Sequence, residues 1–203
     1  NKVFVSLSFP LPEMRDSLIP AADILAHLLA GDDTALLPRT LRIDRPVVDD
    51  ISASVMTFER VGIFLVFAQL DADQLETYLR EMGKKFASLN AMEFTDEQIA
   101  RAQLNLEDSY FRRQEDIADV AETLGAVYFY DPSSVGGARY LGAVRSVGQK
   151  QIQQVIDNFL RPDSLAVSAL VPQAERHKAA DVEIVKKALI QGWPSLGAPE
   201  EPG

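Results

Sequence analysis

The segment DISASVMTFERVGIFLVFAQL, residues 50–70, sets the fold class. Asp50 to Phe58 and Val61 to Leu70 read as two strands, with Glu59 and Arg60 near the turn between them. The second run is apolar at nearly every position, which predicts a central strand covered on both faces. Upstream, Val3 to Phe9 (VFVSLSF) alternates apolar and small polar residues, the period-2 mark of a half-buried strand, and Pro10 and Pro12 end it. Downstream, Leu165 to Val171 is the last clear strand, closed by Pro172.

Between these strands the pattern turns helical. Glu13 to Ala30 repeats Leu18, Ala22, Leu25, Leu28 and Leu29 at helical spacing, with Gly31 where a C-terminal cap belongs. A short helix follows over Thr34 to Arg42. Asp71 to Leu89 carries Leu75, Tyr78, Leu79, Met82 and Phe86 on one face. Thr95 followed by Gln98 is a capping-box signature for the next helix. Further helices are expected over Asp116 to Tyr128, Ala138 to Arg145, Gln149 to Phe159 and Val182 to Leu189, with a break at Asp131 to Gly137. Strands early and late around a helical block predict an α+β domain with a mostly antiparallel sheet. Residues 1–191 read as one domain, and residues 192–203, rich in proline, as a flexible tail.

The chain has 203 residues, 47% of them hydrophobic, which is ample for a single core. Its net charge of −10, without a basic stripe, argues against nucleic acid and anionic membrane surfaces. No apolar run approaches the ~20 residues that span a bilayer. The absence of cysteine removes disulfides, thiolate nucleophiles and cysteine-ligated zinc, but leaves the compartment open. The chain opens at Asn1 without methionine and enters a strand almost at once, which reads as a piece of a longer protein.

The search for chemistry is mostly negative. The two histidines, His27 and His177, stand far apart, and neither H-x-x-E-H nor H-E-x-x-H occurs. Asp32-Asp33, Asp49-Asp50, Glu107-Asp108 and Glu115-Asp116 are adjacent pairs, and neighbours in sequence point in different directions on a helix or strand. Asp71-Ala72-Asp73 begins like a calcium loop but lacks its glycine and terminal glutamate. No G-x-S-x-G elbow is present, and Gly136-Gly137 is followed by no G-K-[ST]. No self-contained catalytic set and no metal or cofactor site is expected in this domain.

Several stretches, in order, resemble the metal-free second half of pitrilysin-type (insulinase-type) zinc metallopeptidases. They are Val5 to Pro10, Leu28 to Arg42, Glu93 to Ala102, Val144 to Val147, Gln149 to Leu160 and Leu165 to Pro172. The resemblance implies one half of a clamshell around a chamber. Zinc would sit in a homologous N-terminal half, on the same chain or a separate subunit, and the substrate would be a peptide. It also implies that many such halves lend an arginine and, seven residues later, a tyrosine to the substrate or its tetrahedral intermediate. Arg42 occupies the arginine position and is the one candidate substrate-binding residue. Asp49 stands where the tyrosine belongs, and Pro46 where glycine is usual. A carboxylate only accepts hydrogen bonds, so Asp49 cannot act as that donor at neutral pH. Arg42 also fits a simpler role, a cation at a helix C-terminus paired with Asp44 or Asp49. Three functions follow: the non-catalytic half of a zinc endopeptidase, a degenerate relative that binds or assembles, or an unrelated α+β binding domain. A homodimer is a further pairing that the sequence leaves open.

Overall fold

The computed structural model describes residues 2–130, 138–173 and 182–197. Four strands, β1 (Lys2–Leu11), β2 (Asp50–Thr57), β3 (Gly62–Asp71) and β4 (Ala166–Leu170), form an antiparallel sheet in the order β2-β3-β1-β4. The period-2 alternation puts Val3, Val5, Leu7 and Phe9 of β1 on one face, opposite Leu70, Ala68, Val66 and Phe64 of β3. None of these is more than 1% exposed. The chain is α+β, as its element order predicts.

The other face of the sheet is open among the described residues. It carries Ser6 and Ser8 of β1, Ser52 and Ser54 of β2, and Leu65 and Phe67 of β3. Phe67 is 38% exposed and stacks on Phe4 with ring centroids 6.0 Å apart. β3 is therefore central in the sheet but covered on one face only among the described residues, which departs from the expectation of two covered faces. Outward apolar residues supported by cross-strand packing look like core residues in a one-dimensional pattern.

Helices fill the covered side. α1 (Ile19–Ala30) begins later than the expected Glu13. Asp16 Oδ1 accepts from Leu18 N at 2.8 Å, and Pro20 stands in the first turn, where its missing N–H costs nothing. The short helix expected over Thr34 to Arg42 is α2 (Leu36–Pro38), running into a wide π-type turn over Arg39–Ile43, in which Asp44 N donates to Arg39 O at 2.8 Å. Then follow α3 (Leu75–Ser88), α4 (Asp96–Arg113), α5 (Ile117–Tyr130), α6 (Ala138–Arg145), α7 (Gln149–Phe159) and, after β4, α8 (Val182–Gly192). The capping box of α4 forms as read: Gln98 N donates to Thr95 Oγ1 at 3.3 Å, and Thr95 N to Gln98 Oε1 at 2.9 Å. α1 packs across β2 and against α4, α6 and α7, while α3 packs on α8. The break at Asp131 to Gly137 lies outside the described residues.

The α3–α8 contact depends on two glycines. A Cβ on Gly83 would lie 2.8 Å from Leu189 O, and one on Gly192 would lie 2.1 Å from Arg80 O. The chain then carries Trp193 into the core. Its ring is 6% exposed, lies 5.8 Å from the Phe86 ring and 6.4 Å from that of Phe9, and precedes a helical turn over Pro194–Gly197. The sequence places residues 192–203 in a tail. The structure instead packs the start of that stretch, because the indole supplies apolar surface that proline content does not reveal.

One core residue of α3 carries an unsatisfied polar atom. The Tyr78 hydroxyl is fully buried without a hydrogen-bond partner, and burial pushes its phenol pKa up. A lone buried hydroxyl costs about 1–3 kcal/mol. Tyr78→Phe is expected to leave the fold intact and raise stability by about 1 kcal/mol, read as a higher urea midpoint with an unchanged m-value.

Candidate functional site

Arg42 lies in the wide turn after α2, with its side chain 29% exposed. The turn is held by Thr40, whose Oγ1 donates to Leu36 O at 2.7 Å, and by Val47 N and Val48 N, which donate to Leu41 O at 2.8 and 3.1 Å. This places the guanidinium between two carboxylates. One of its terminal nitrogens donates to Asp33, and the other lies 3.6 Å from Asp50 Oδ1 at the start of β2. The sequence suggests Asp44 or Asp49 as partners for Arg42. The structure pairs it with Asp33 and Asp50 instead, since the turn directs the side chain toward the loop after α1 and the first residue of β2.

Asp49 belongs to a separate set. Its backbone N–H donates to Gln69 O at 2.8 Å, continuing the β2–β3 ladder by one residue. Its carboxylate meets Lys2 Nζ at 2.8 Å, and Lys2 also reaches Asp71 Oδ1 at 2.8 Å. These bonds hold the Lys2 pKa above its ordinary value, Asp49 contributing most. Arg42 and Asp49, the two positions singled out in sequence, thus stand at the same end of the sheet but in different ion-pair sets. The role of Lys2, Asp33 and Asp50 was not legible in sequence, because each meets its partner across strand pairing or a loop.

The remaining described candidates are engaged in local contacts. His27 on α1 is half-buried, its Nε2 lies 3.0 Å from Asn105 Nδ2, and desolvation pulls its pKa down. The neutral ring therefore accepts from the Asn105 amide near neutral pH. His177 lies outside the described residues. The adjacent acidic pairs divide between different partners. Asp32 accepts from Thr34 N at 2.8 Å and Oγ1 at 2.6 Å, Glu107 pairs with Arg145, Asp108 meets Arg112 Nε at 2.6 Å, and Asp116 accepts from Ala118 N at 2.7 Å. Asp71 is taken by Lys2, so the calcium-like start holds no donor set. Among the described residues no group of three His, Cys, Asp or Glu could hold a metal ion. These residues do not fit a zinc centre, since the one described histidine is already bonded through Nε2.

Sequence reading missed one further polar pair. Asp23 of α1 accepts from Tyr140 Oη of α6 at 2.8 Å. Burial raises its pKa from 3.8 to about 6, and the Tyr140 bond offsets part of that rise. The signal was an aspartate inside the apolar run Ala21 to Ala26. A carboxyl whose folded pKa is raised binds protons more readily in the folded state. Its stabilising contribution is complete below 3.8 and is lost as pH rises through about 6. Asp23→Asn is expected to remove that dependence and to raise neutral-pH stability by about 1–2 kcal/mol, less than the full shift implies because the side chain keeps part of its water. Urea midpoints across this range check both effects.

Comparison with known proteins agrees with this architecture. The sequence matches the family described as "Peptidase M16 inactive domain" over residues 1–106, just over half of the chain. Searching the curated proteins returns no match. Among solved structures, a protease from Helicobacter pylori is similar at TM-score 0.70 and 18% identity, covering 84% of this chain and 41% of that one. The peptidase M16 inactive domain from Pseudomonas fluorescens is similar at 0.67 and 16%, covering 85% and 42%. A chain of complex III2 from Candida albicans matches at 0.75 and 9%, covering 93% and 46%. This chain thus spans less than half the length of those proteins. No helix of the described residues is long and apolar enough to cross a membrane. The match covers more than half of the chain and agrees with its antiparallel sheet and the helices on one face, and the chain belongs to the family of inactive domains of M16 peptidases.

Proposed function

We propose that this chain is the non-catalytic half of a zinc metalloendopeptidase, pairing with a homologous half that carries the zinc and cleaves peptides. The observation that carries the reading is the match to the inactive M16 domain, in a chain whose described residues hold no metal-ligating set. The Helicobacter pylori protease, of which this chain covers 41%, has length left over for a second half of similar size. In this reading the chain supplies wall and peptide contacts to a shared chamber. Arg42 binds substrate only by exchanging Asp33 or Asp50 for a carbonyl or carboxylate of the peptide. Asp49, ion-paired with Lys2, adds no donor.

The test is reconstitution. The purified chain alone should bind no zinc by metal analysis and cleave no peptide, and adding the zinc-bearing half should restore cleavage of a fluorogenic peptide. Equal cleavage by that half without this chain would overturn the proposal. In the reconstituted pair, Arg42→Ala should raise KM with kcat unchanged, the mark of lost uniform binding.

A second reading, a binding or assembly subunit without proteolysis, is favoured by the closed Lys2–Asp49–Asp71 set in the tyrosine's place. The same fold occurs in a chain of Candida albicans complex III2. An intact H-x-x-E-H in the partner half supports the enzyme, and a damaged one supports the scaffold.

A further inference from the structure

α6 depends on its neighbours for its helical form. It has 8 residues, fewer than the ~12–15 that an isolated helix needs, and Gly142 in its middle lowers its propensity further. Leu141 and Val144 are buried, and the helix packs on α1 and α4. Its second half is fixed to α4, where Gln103 Nε2 donates to Val144 O and Val147 O at 3.2 and 2.9 Å and Arg145 pairs with Glu107. Its first half is tied to α1 through Tyr140 Oη, which donates to Asp23 Oδ2 at 2.8 Å, and the Tyr140 ring lies 6.5 Å from that of Tyr110 on α4.

The tie ends on a carboxyl that is poorly equipped to be charged. An ionised carboxylate can accept about four hydrogen bonds, and among the described residues Asp23 accepts only the one from Tyr140. His27, one turn along α1, is engaged with Asn105 of α4, and Asp32 and Arg101 act on that ring. α4 also brings Arg113, which acts on Tyr140, and α6 brings Arg139 and the paired Arg145. From α2, β2 and α7 the buried residues are apolar, Leu37, Ile51 and Ile152 among them, whereas Asp50, Lys150 and Asp157 of those elements are exposed. Of all these groups only the Tyr140 hydroxyl acts on the Asp23 carboxyl, and desolvation outweighs it, so the ionised form gains by reaching water. α1 cannot move to admit that water, since its Ile24, Leu25 and Leu29 are at most 2% exposed in the core. The start of α6 can.

We propose that the first turn of α6 is a proton-operated latch, closed on α1 while the Asp23 carboxyl carries its proton and loosened when that carboxyl ionises. The device belongs to this chain alone and stands apart from the functional reading above. Acid tightens the α1–α6 contact, and a rise toward neutrality loosens it. His27 works in the opposite sense at the α1–α4 contact, because protonation removes the lone pair that accepts from Asn105. The two contacts of α1 thus separate in their response to pH.

Hydrogen exchange of the 203-residue chain, read per amide and divided by the intrinsic rate at each pH, tests the latch. Gly142, Ala143 and Val144 donate back into the turn that holds Tyr140. Their opening should rise about tenfold between about pH 5 and about pH 7.5, less than the full shift of a buried carboxyl allows because Asp23 is only half-buried. The amides of Leu25 and Leu29 in α1 should show no such rise. Asp23→Asn, which keeps the shape and removes the charge, should hold the opening at its acid level throughout. Tyr140→Phe should keep the dependence and steepen it, because the ionised carboxyl then loses its donor. Circular dichroism at both pH values verifies that each variant is folded. A flat profile at α6 overturns the proposal, and so does a slope that persists in Asp23→Asn or becomes shallower in Tyr140→Phe. An equal slope in α1 and α6 would mean unfolding of the whole domain, and overturns it as well.

Discussion

Gly192→Ala is expected to destabilise the domain by about 3 kcal/mol, the upper end for overpacking, although it adds a single methyl group. That methyl would sit 2.1 Å from Arg80 O and 2.8 Å from Lys84 N, both backbone atoms of α3 that cannot rotate away. Gly192 does not have a left-handed backbone, so the cost is steric rather than conformational. α8 must retreat by about an ångström, and dispersion contacts weaken steeply over such a gap. Gly83 faces the same crossing from α3, with Gly192 Cα 3.1 Å from its would-be Cβ. Gly83→Ala should therefore destabilise in the same direction, and the double variant should cost less than the sum of the two, since one displacement relieves both clashes. Urea denaturation of the three variants measures this directly. Full additivity would mean that the helices do not move as a unit.

Trp193→Ala should cost about 3–5 kcal/mol, the range for deleting a large buried aromatic. The indole stacks on Phe86 at an interplanar angle of 25°, and Phe86 meets Phe9 edge-on with centroids 5.0 Å apart. Losing the indole opens a cavity beside the central strand and unseats the helical turn over Pro194–Gly197. Trp193→Phe keeps part of the stack and should recover more than half of the loss. Thermal and urea unfolding read the ranking, and a Trp193→Ala variant as stable as the parent would show that the indole contributes little to the core.

The strands and most helices were legible because their hydrophobic periods are strong. α6 and α7 fall on their expected spans, and the capping box placed the start of α4 correctly. The outer face of β3 was not legible, since Leu65 and Phe67 are apolar without being core. Of the site, sequence could single out Arg42 and Asp49, but only through resemblance. Their partners depend on geometry that a linear pattern does not carry. Lys2 reaches Asp71 because the β1–β3 register sets them opposite each other, and Asp33 reaches Arg42 across the loop between α1 and α2. Asp23 meets Tyr140 only when α1 packs on α6. Trp193 was hidden by its neighbours, because proline and glycine around it gave the stretch the composition of a tail.

The strand order has a consequence for how the chain folds. Ser6 of β1 pairs on one side with Phe67 and on the other with Ser168, so one edge of β1 can close early and the other only when nearly the whole chain is present. Contacts of such long sequence separation slow folding, because the closure entropy must be met before they form. On the ribosome, β1, β2 and β3 emerge first and leave one side of β1 without a neighbour while the helical block is made. β1 alternates apolar residues with serines, and its one charge, Lys2, lies at the very start, so nothing in its middle discourages pairing with another chain. Truncation before residue 166 should therefore yield a chain that aggregates through β1 rather than a smaller soluble domain.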